Sequence, residues 1–130
     1  MFLIKPSSSQ PIYEQIITQV KESIIKGVLR EGEKLPSVRD LAEMTRVNPN
    51  TISKAYKILE QDQIIITVRG RGTFVNDKLN IKTDTTAMSN LRSKLKETII
   101  ELHYFGVHET EAQKIIEEIY EELRKEADHA

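Results

Sequence analysis

Two helix start signals that lie eleven residues apart constrain the fold of this chain more than any other feature. At the first, Ser37 and Asp40 have the spacing of a capping box, and Pro36 prevents the helix from extending backwards. At the second, Asn48 can accept hydrogen bonds from first-turn amides, and Pro49 has no amide to leave unpaired. The sequence therefore predicts two helices joined by a tight turn, the first of which is short.

The apolar residues predict one more helix before these two. Isoleucine or valine recurs every four residues between Pro11 and Gly27, which is typical of one face of a helix. The helix that begins at Asn48 is predicted to run to about Gln61. The chain is therefore expected to begin with three helices.

A β-hairpin is predicted to follow the third helix. Ile64–Val68 is a β-branched run, and Gly70–Gly72 separates it from a second short run, Thr73–Val75. Three helices followed by a hairpin, with a tight turn between the second and third helices, form the winged helix-turn-helix arrangement. Its third helix normally enters the major groove of DNA.

The rest of the chain is predicted to be a linker and a helical tail. Residues 76–90 are polar, and the helical period that follows is interrupted at Gly106, which predicts a helical hairpin. Its two apolar stripes are Leu91, Leu95, Ile99 and Leu102 on one helix and Ile115, Ile119, Tyr120 and Leu123 on the other. The predicted fold class is mainly α with a small β-hairpin: a winged helix-turn-helix domain at 1–77, a linker at 78–87 and a helical dimerisation domain at 88–130.

Charge is distributed unevenly along the 130 residues. Residues 1–78 hold 12 Lys and Arg against 9 Asp and Glu, whereas residues 79–130 hold 7 against 11. This asymmetry suggests that the first part meets a polyanion. The chain has no cysteine and no run that approaches the ~20 apolar residues of a membrane span, so we expect a soluble cytoplasmic protein with no membrane partner.

The predicted third helix has one apolar face and one face suited to DNA. At 100° per residue, Ile52, Ala55 and Leu59 fall on one side. The opposite side carries Asn50, Ser53, Lys54 and Lys57. That side has no acidic residue, and it combines amide and hydroxyl groups for base edges with two ammonium groups for phosphates. The alternative is an ordinary solvated face.

Three blocks of sequence closely resemble the DNA-binding domain of GntR-family bacterial transcription regulators. They are Leu35–Ala42, Val47–Tyr56 with the following Leu59-Glu60, and Gly70–Val75, and the resemblance covers residues 11–75. The Val-Asn-Pro-Asn-Thr and Lys-Ala-Tyr segments, joined to a short tail, are similar to the YtrA-type subfamily, whose C-terminal part is a pair of helices. The sequence departs from the family at Gln63, where glycine is usual, and at Pro49, where many members carry arginine.

The resemblance implies a DNA-binding surface on the second helix, the third helix and the wing. Together with the polar face described above, it gives these candidate DNA-binding residues: Ser37, Arg39, Asn48, Asn50, Thr51, Ser53, Lys54, Lys57, Arg69, Gly70, Arg71, Gly72 and Thr73. The wing tip is expected to approach the minor groove, with the Arg71 guanidinium free between two glycines. For Arg39 the less favoured alternative is a surface ion pair with Asp40 or Glu43.

Other chemistry is weakly represented. His103, His108, Glu109 and Glu111 cluster around Gly106, but the histidines are five residues apart across a helix break, whereas ligands facing from one helix are four apart. No metal site, cofactor or catalytic residue is predicted, because the sequence also lacks a phosphate-binding glycine loop and a nucleophile with a matching base.

The predicted function is that of a homodimeric repressor that binds an inverted-repeat operator in double-stranded DNA. The resemblance further implies control of a neighbouring transport operon. Two alternatives are a winged-helix protein-interaction adaptor and an architectural DNA binder with little sequence preference. The tail is expected to form the dimer interface, although it could instead fold back on its own DNA-binding domain. Any small-molecule effector is unidentified, and it would have to lie between subunits or between domains.

Overall fold

The computed structural model describes residues 2–77 and 85–128, with side chains through Arg124. The described residues include two compact units, the first within residues 2–77 and the second within residues 85–124. The elements, in chain order, are α1 (Ile12–Ile25), α2 (Val38–Thr45), α3 (Pro49–Gln61), β1 (Ile65–Val68), β2 (Gly72–Val75), α4 (Thr85–Tyr104) and α5 (Glu109–Asp128). The prediction of a mainly helical fold with one small β-hairpin is confirmed.

Both helix start signals act as predicted. The Ser37 hydroxyl accepts a hydrogen bond from the Asp40 backbone amide at 3.0 Å. The Asn48 side-chain oxygen accepts one from the Asn50 amide at 2.8 Å, and Pro49 is the first residue of α3. Each cap satisfies an amide that the helix itself leaves unpaired.

The core of the first unit is formed by the three helices and the hairpin. The apolar face of α3 is fully buried at Ile52, Ala55 and Leu59, as the helical spacing predicts. α1 packs against α3 through a stripe that includes Ile16 and Val20, both at 0% exposure. Leu35, Leu41, Ile65 and Val75 complete the set of largest buried side chains.

The wing contains more strand pairing than its two predicted strands. β1 and β2 are antiparallel, with Ile65 opposite Val75. The segment before α2 runs along the other edge of β2: Lys34 pairs with Phe74, and the Leu35 amide donates to the Thr73 carbonyl at 2.8 Å. The sequence does not predict this segment, because it is short and lacks an alternating apolar pattern.

Two helix ends place non-glycine residues in the left-handed conformation that usually favours glycine. Arg46, after α2, has φ +57°, and Gln63, after α3, has φ +60°. At the second end the Ile64 amide donates to the Leu59 carbonyl, and the Asn76 side chain donates to the Gln63 carbonyl at 2.8 Å. The turn at Gln63 therefore adopts the conformation that the family's usual glycine would favour.

The second unit begins earlier than the sequence indicates. α4 starts at Thr85, so residues 85–87, which the composition assigns to the linker, are helical. These residues are exposed, so the first turn of α4 can form without the apolar side chains that the sequence pattern requires. The rest of the predicted linker, residues 78–84, lies outside the described residues.

The apolar stripes of the tail are largely exposed. Leu91, Leu95, Ile99, Ile119 and Tyr120 are between 45% and 60% exposed, and Leu102, Ile115 and Leu123 are half-buried. Ala112 is buried, and α4 buries no side chain at all. The turn between the helices includes Gly106 at φ +82°, where the predicted break falls. The two helices therefore leave most of their apolar surface uncovered in the single chain.

Candidate nucleic-acid interface

The outward face of α3 carries the side chains that its helical spacing predicts. Asn50, Ser53, Lys54 and Lys57 are exposed, and Thr51 is half-buried. The packing of the opposite face against α1 and α2 fixes the direction in which these groups point. The structure therefore brings amide, hydroxyl and ammonium groups together on one surface.

Lys54 is held by an aromatic ring on α1. Its Nζ lies 4.0 Å from the centroid of the Tyr13 ring, a cation–π distance worth about 0.5–1 kcal/mol at an exposed site. The Tyr13 hydroxyl donates to the Glu14 carboxylate at 3.2 Å, and this hydrogen bond, with the carboxylate charge, raises the pKa of Tyr13. Tyr13 is absent from the predicted site, because its position in the first turn of an amphipathic helix indicates only a core residue.

Arg39 forms the ion pair that the sequence ranks below a DNA contact. Its Nε lies 3.9 Å from a Glu43 carboxylate oxygen, one helical turn away. Both side chains are exposed, at 89% and 72%, so the pair is weak and can exchange for another anion. The lower-ranked alternative is thus realised in the free chain, and a phosphate contact would have to displace Glu43.

Tyr56 connects the start of α2 to the centre of α3. Its hydroxyl donates to the Pro36 carbonyl at 2.7 Å, and the residue is only 5% exposed. Burial raises the pKa of Tyr56 to about 12. This hydrogen bond fixes the segment that carries Ser37 relative to the exposed face of α3. The Lys-Ala-Tyr segment of the resemblance includes Tyr56, but nothing in the sequence indicates that its hydroxyl bonds to the Pro36 carbonyl.

The wing tip turns as its glycines predict. The Arg71 amide donates to the Val68 carbonyl at 2.9 Å, and Gly70 has φ +80° at the third position of this turn, where glycine is favoured. Arg69 and Arg71 are exposed, and no acidic residue lies between β1 and the end of β2. The half-buried Thr73 ties the wing to the segment before α2 through its carbonyl.

Position 72 is occupied by glycine for a structural reason that the sequence does not reveal. Its φ is +122°, and a Cβ at this position would lie 2.9 Å from Lys34 Cε. The sequence indicates only that the two glycines leave Arg71 free, whereas the structure shows that an added Cβ at this position would meet a lysine side chain of the same unit. The left-handed backbone conformation therefore disfavours a larger residue, which would also require the Lys34 side chain to move.

The histidines of the second unit come closer than their spacing suggests. The His103 and His108 rings lie 5.0 Å apart, because the turn at Gly106 brings the end of α4 next to the start of α5. Among the side chains that the structure describes, those of residues 2–77 and 85–124, no three His, Cys, Asp or Glu are grouped so that they could hold a metal ion. None of the described helices combines the length and the hydropathy that crossing a membrane requires.

Comparison with known proteins gives consistent matches. The family described as "Bacterial regulatory proteins, gntR family" matches residues 12–75. The HTH-type transcriptional repressor YtrA of Bacillus subtilis is 46% identical over 124 residues, which cover 95% of each chain.

Two solved structures extend the comparison. One is a transcriptional antiterminator from Listeria monocytogenes, which superimposes with a TM-score of 0.87 at 46% identity, over 95% of this chain and 92% of that one. The other is the AraR DNA-binding domain in complex with operator ORX1, which matches 56% of this chain and 90% of that one at 29% identity, with a TM-score of 0.50. With nearly its whole length aligned to YtrA, this chain belongs to the gntR family of bacterial regulatory proteins.

Proposed function

We propose that this protein is a sequence-specific DNA-binding transcription regulator. One observation carries the proposal: α3 buries one face completely and exposes an opposite face of Asn50, Ser53, Lys54 and Lys57 without a carboxylate. The operator complex of the AraR domain supports it, because that protein shares the fold of the first unit. The chemistry is binding, and no catalytic step is proposed.

The side chains divide between base reading and phosphate binding. Asn50 and Ser53 carry donors and acceptors that can match the edges of bases in the major groove. Lys54 and Arg39 carry charges that suit phosphates, which position a protein on DNA without reading its sequence. Arg71, at the wing tip, suits a narrow, electronegative minor groove. Asn48 contributes chiefly by capping α3, since its side-chain oxygen is engaged there.

The active form is proposed to be a homodimer joined through the tail. The exposed stripes of α4 and α5 are the supporting observation, since a second copy could bury both. At ~25 cal/mol per Å², a few hundred Å² of added apolar burial yields several kcal/mol before the cost of association. A two-fold dimer would place its recognition helices about 34 Å apart or a multiple of that, so the operator would be an inverted repeat.

The direction of regulation is proposed to be repression. The relative from Bacillus subtilis is named a repressor and aligns over nearly the entire chain. A dimer seated on a promoter would exclude the polymerase by occupying the same grooves. The protein is placed in the cytoplasm by this proposal, because its ligand is the bacterial chromosome.

Selection of bound fragments from the source genome tests the proposed function. Purified full-length chain is incubated with sheared genomic DNA at fixed salt, and the retained fragments are sequenced and footprinted. The proposal predicts a shared inverted repeat with two protected half-sites. Retained fragments that share no more sequence than the input would refute sequence-specific binding and favour the architectural alternative. No retention at all would favour the adaptor.

A further inference from the structure

Lys34 lies against the wing in a position that its place in the sequence does not suggest. Its backbone pairs with Phe74, at the middle of β2. Its side chain, however, reaches Gly72, two residues closer to the hairpin turn: Nζ lies 3.5 Å from where a Gly72 Cβ would be, and Cε lies 2.9 Å from it. The ammonium is therefore carried along the sheet toward the wing tip.

The absence of a Cβ at Gly72 leaves room for this path. A larger residue would displace the end of the Lys34 side chain from the position that it takes here. The outer part of the stem passes beside Gly72, and the residue is exposed, as long cationic side chains commonly are.

The Lys34 charge is available to an external anion. It forms no ion pair with any side chain in the described part of the chain. The neighbouring carboxylate of Glu33 is engaged elsewhere, because it accepts a hydrogen bond from the Arg30 amide at 2.8 Å. Asp77 follows β2 at the end remote from the turn. Arg69 and Arg71 are at the turn itself, so Lys34 adds a third cation on the turn side of the wing.

We infer that Lys34 is a DNA-binding residue that contacts a backbone phosphate beside the wing tip. This inference rests on the proposed DNA-binding function. The contact would add affinity without sequence preference, since an ammonium is a point charge that recognises phosphate rather than a base edge. It would also anchor the wing while Arg71 enters the groove.

The salt dependence of binding tests this assignment. The full-length chain and its Lys34→Gln variant are titrated by fluorescence anisotropy onto a 30-bp duplex of mixed sequence, between 50 and 200 mM KCl. Each subunit of the proposed dimer carries one Lys34, so loss of its phosphate contact should lower the slope of log K against log salt by about 0.9 per subunit, or about 1.8 in all, and the variant should lose about tenfold less affinity over this range. Lys34→Arg should keep the wild-type slope.

Lys26→Gln is the matched control, because it also removes one positive charge but at the end of α1, where Lys26 pairs with Glu22. Its slope should equal that of the wild type. A Lys34→Gln slope equal to wild type would overturn the inference, including the case in which affinity falls uniformly because the wing is disturbed. Failure of the wild-type chain to bind any duplex would instead overturn the proposed function, and the Lys34 contact with it.

Discussion

In the first unit, contacts made by single side chains connect elements that are separate along the sequence. The Tyr56 hydroxyl joins α3 to the carbonyl of Pro36, just before α2, and Lys54 rests on the Tyr13 ring of α1. Each contact holds part of the proposed recognition surface in place. A buried hydroxyl also has a cost if its partner is lost, because an unsatisfied polar group remains.

Tyr56→Phe should lower the free energy of unfolding by about 1 kcal/mol near neutral pH, because it removes one buried hydrogen bond. The pH dependence identifies the group. Burial raises the pKa of Tyr56 to about 12, whereas an unfolded tyrosine has a pKa near 10. The wild-type advantage should therefore be complete below pH 10 and decline as pH rises from about 10 to about 12.

Denaturant unfolding of both proteins across that pH range measures the effect. The comparison cancels other groups that titrate there, including Tyr13, because both chains contain them. A difference between wild type and variant that stays constant from pH 9 to pH 12 would show that the Tyr56 hydroxyl is not buried in the native state.

Asn50 and Lys54 should respond differently to truncation. Asn50→Ala should cost about 1–3 kcal/mol on the selected operator and little on random DNA, because its amide reads base edges. Lys54→Ala should weaken both complexes and lower the salt slope by about 0.9 per subunit, or about 1.8 for the dimer, since each copy of Lys54 contacts a phosphate. Anisotropy titrations at several salt concentrations measure both. Gln61→Ala is the control, because it removes an exposed amide at the far end of α3. Equal losses on the operator and on random DNA for Asn50→Ala would contradict base reading.

At the scale of elements, the helix starts could be predicted and the strand edge could not. Ser37 and Asn48 cap through their own side chains, so the signal is local and visible in the sequence. The helix ends at Arg46 and Gln63 adopt left-handed conformations, which neither residue type favours. Tertiary packing therefore determines the backbone conformation at these two positions. The pairing of Lys34 with Phe74 joins residues forty apart, and no local pattern encodes it.

The wing should depend on its backbone as much as on its charge. Gly72→Val should impair operator binding as strongly as Arg71→Ala, although it removes no charge, because φ is +122°, a backbone conformation closed to β-branched residues. Hydroxyl-radical footprints of the two variants should both lose protection at the outer edge of each half-site. Thr67→Val, at an exposed position on β1, should leave the footprint intact. Unchanged edge protection in Arg71→Ala would count against minor-groove entry.

At the scale of the whole molecule, the tail is the element whose role depends on a second copy. The sequence predicts its helices and their stripes, because helical periodicity is local, and the structure leaves those stripes mostly exposed. The surface that covers these stripes depends on association with a second chain, and the sequence pattern of one chain does not encode that surface.

Disrupting the stripe should separate the proposed dimer. Leu95→Glu places a charge on the exposed apolar face of α4 and should convert a dimer into a monomer at micromolar concentration. Truncation after Asn80 should do the same and leave a folded unit that binds half-sites weakly. Sedimentation velocity measures both. Lys96→Glu is the control: it changes the adjacent exposed position and should remain dimeric. A truncated chain that stays dimeric would place the interface elsewhere.

The spacing of half-sites tests most directly the claim that two copies of α3 read an inverted repeat together. The selected operator is compared with versions carrying 5 or 10 additional base pairs between its half-sites, at one salt concentration. Five base pairs rotate one half-site to the opposite side of the duplex, so affinity should fall to the level of a single half-site, whereas ten should restore the facing and part of the affinity. Equal affinity for all three duplexes would contradict paired recognition by a two-fold dimer.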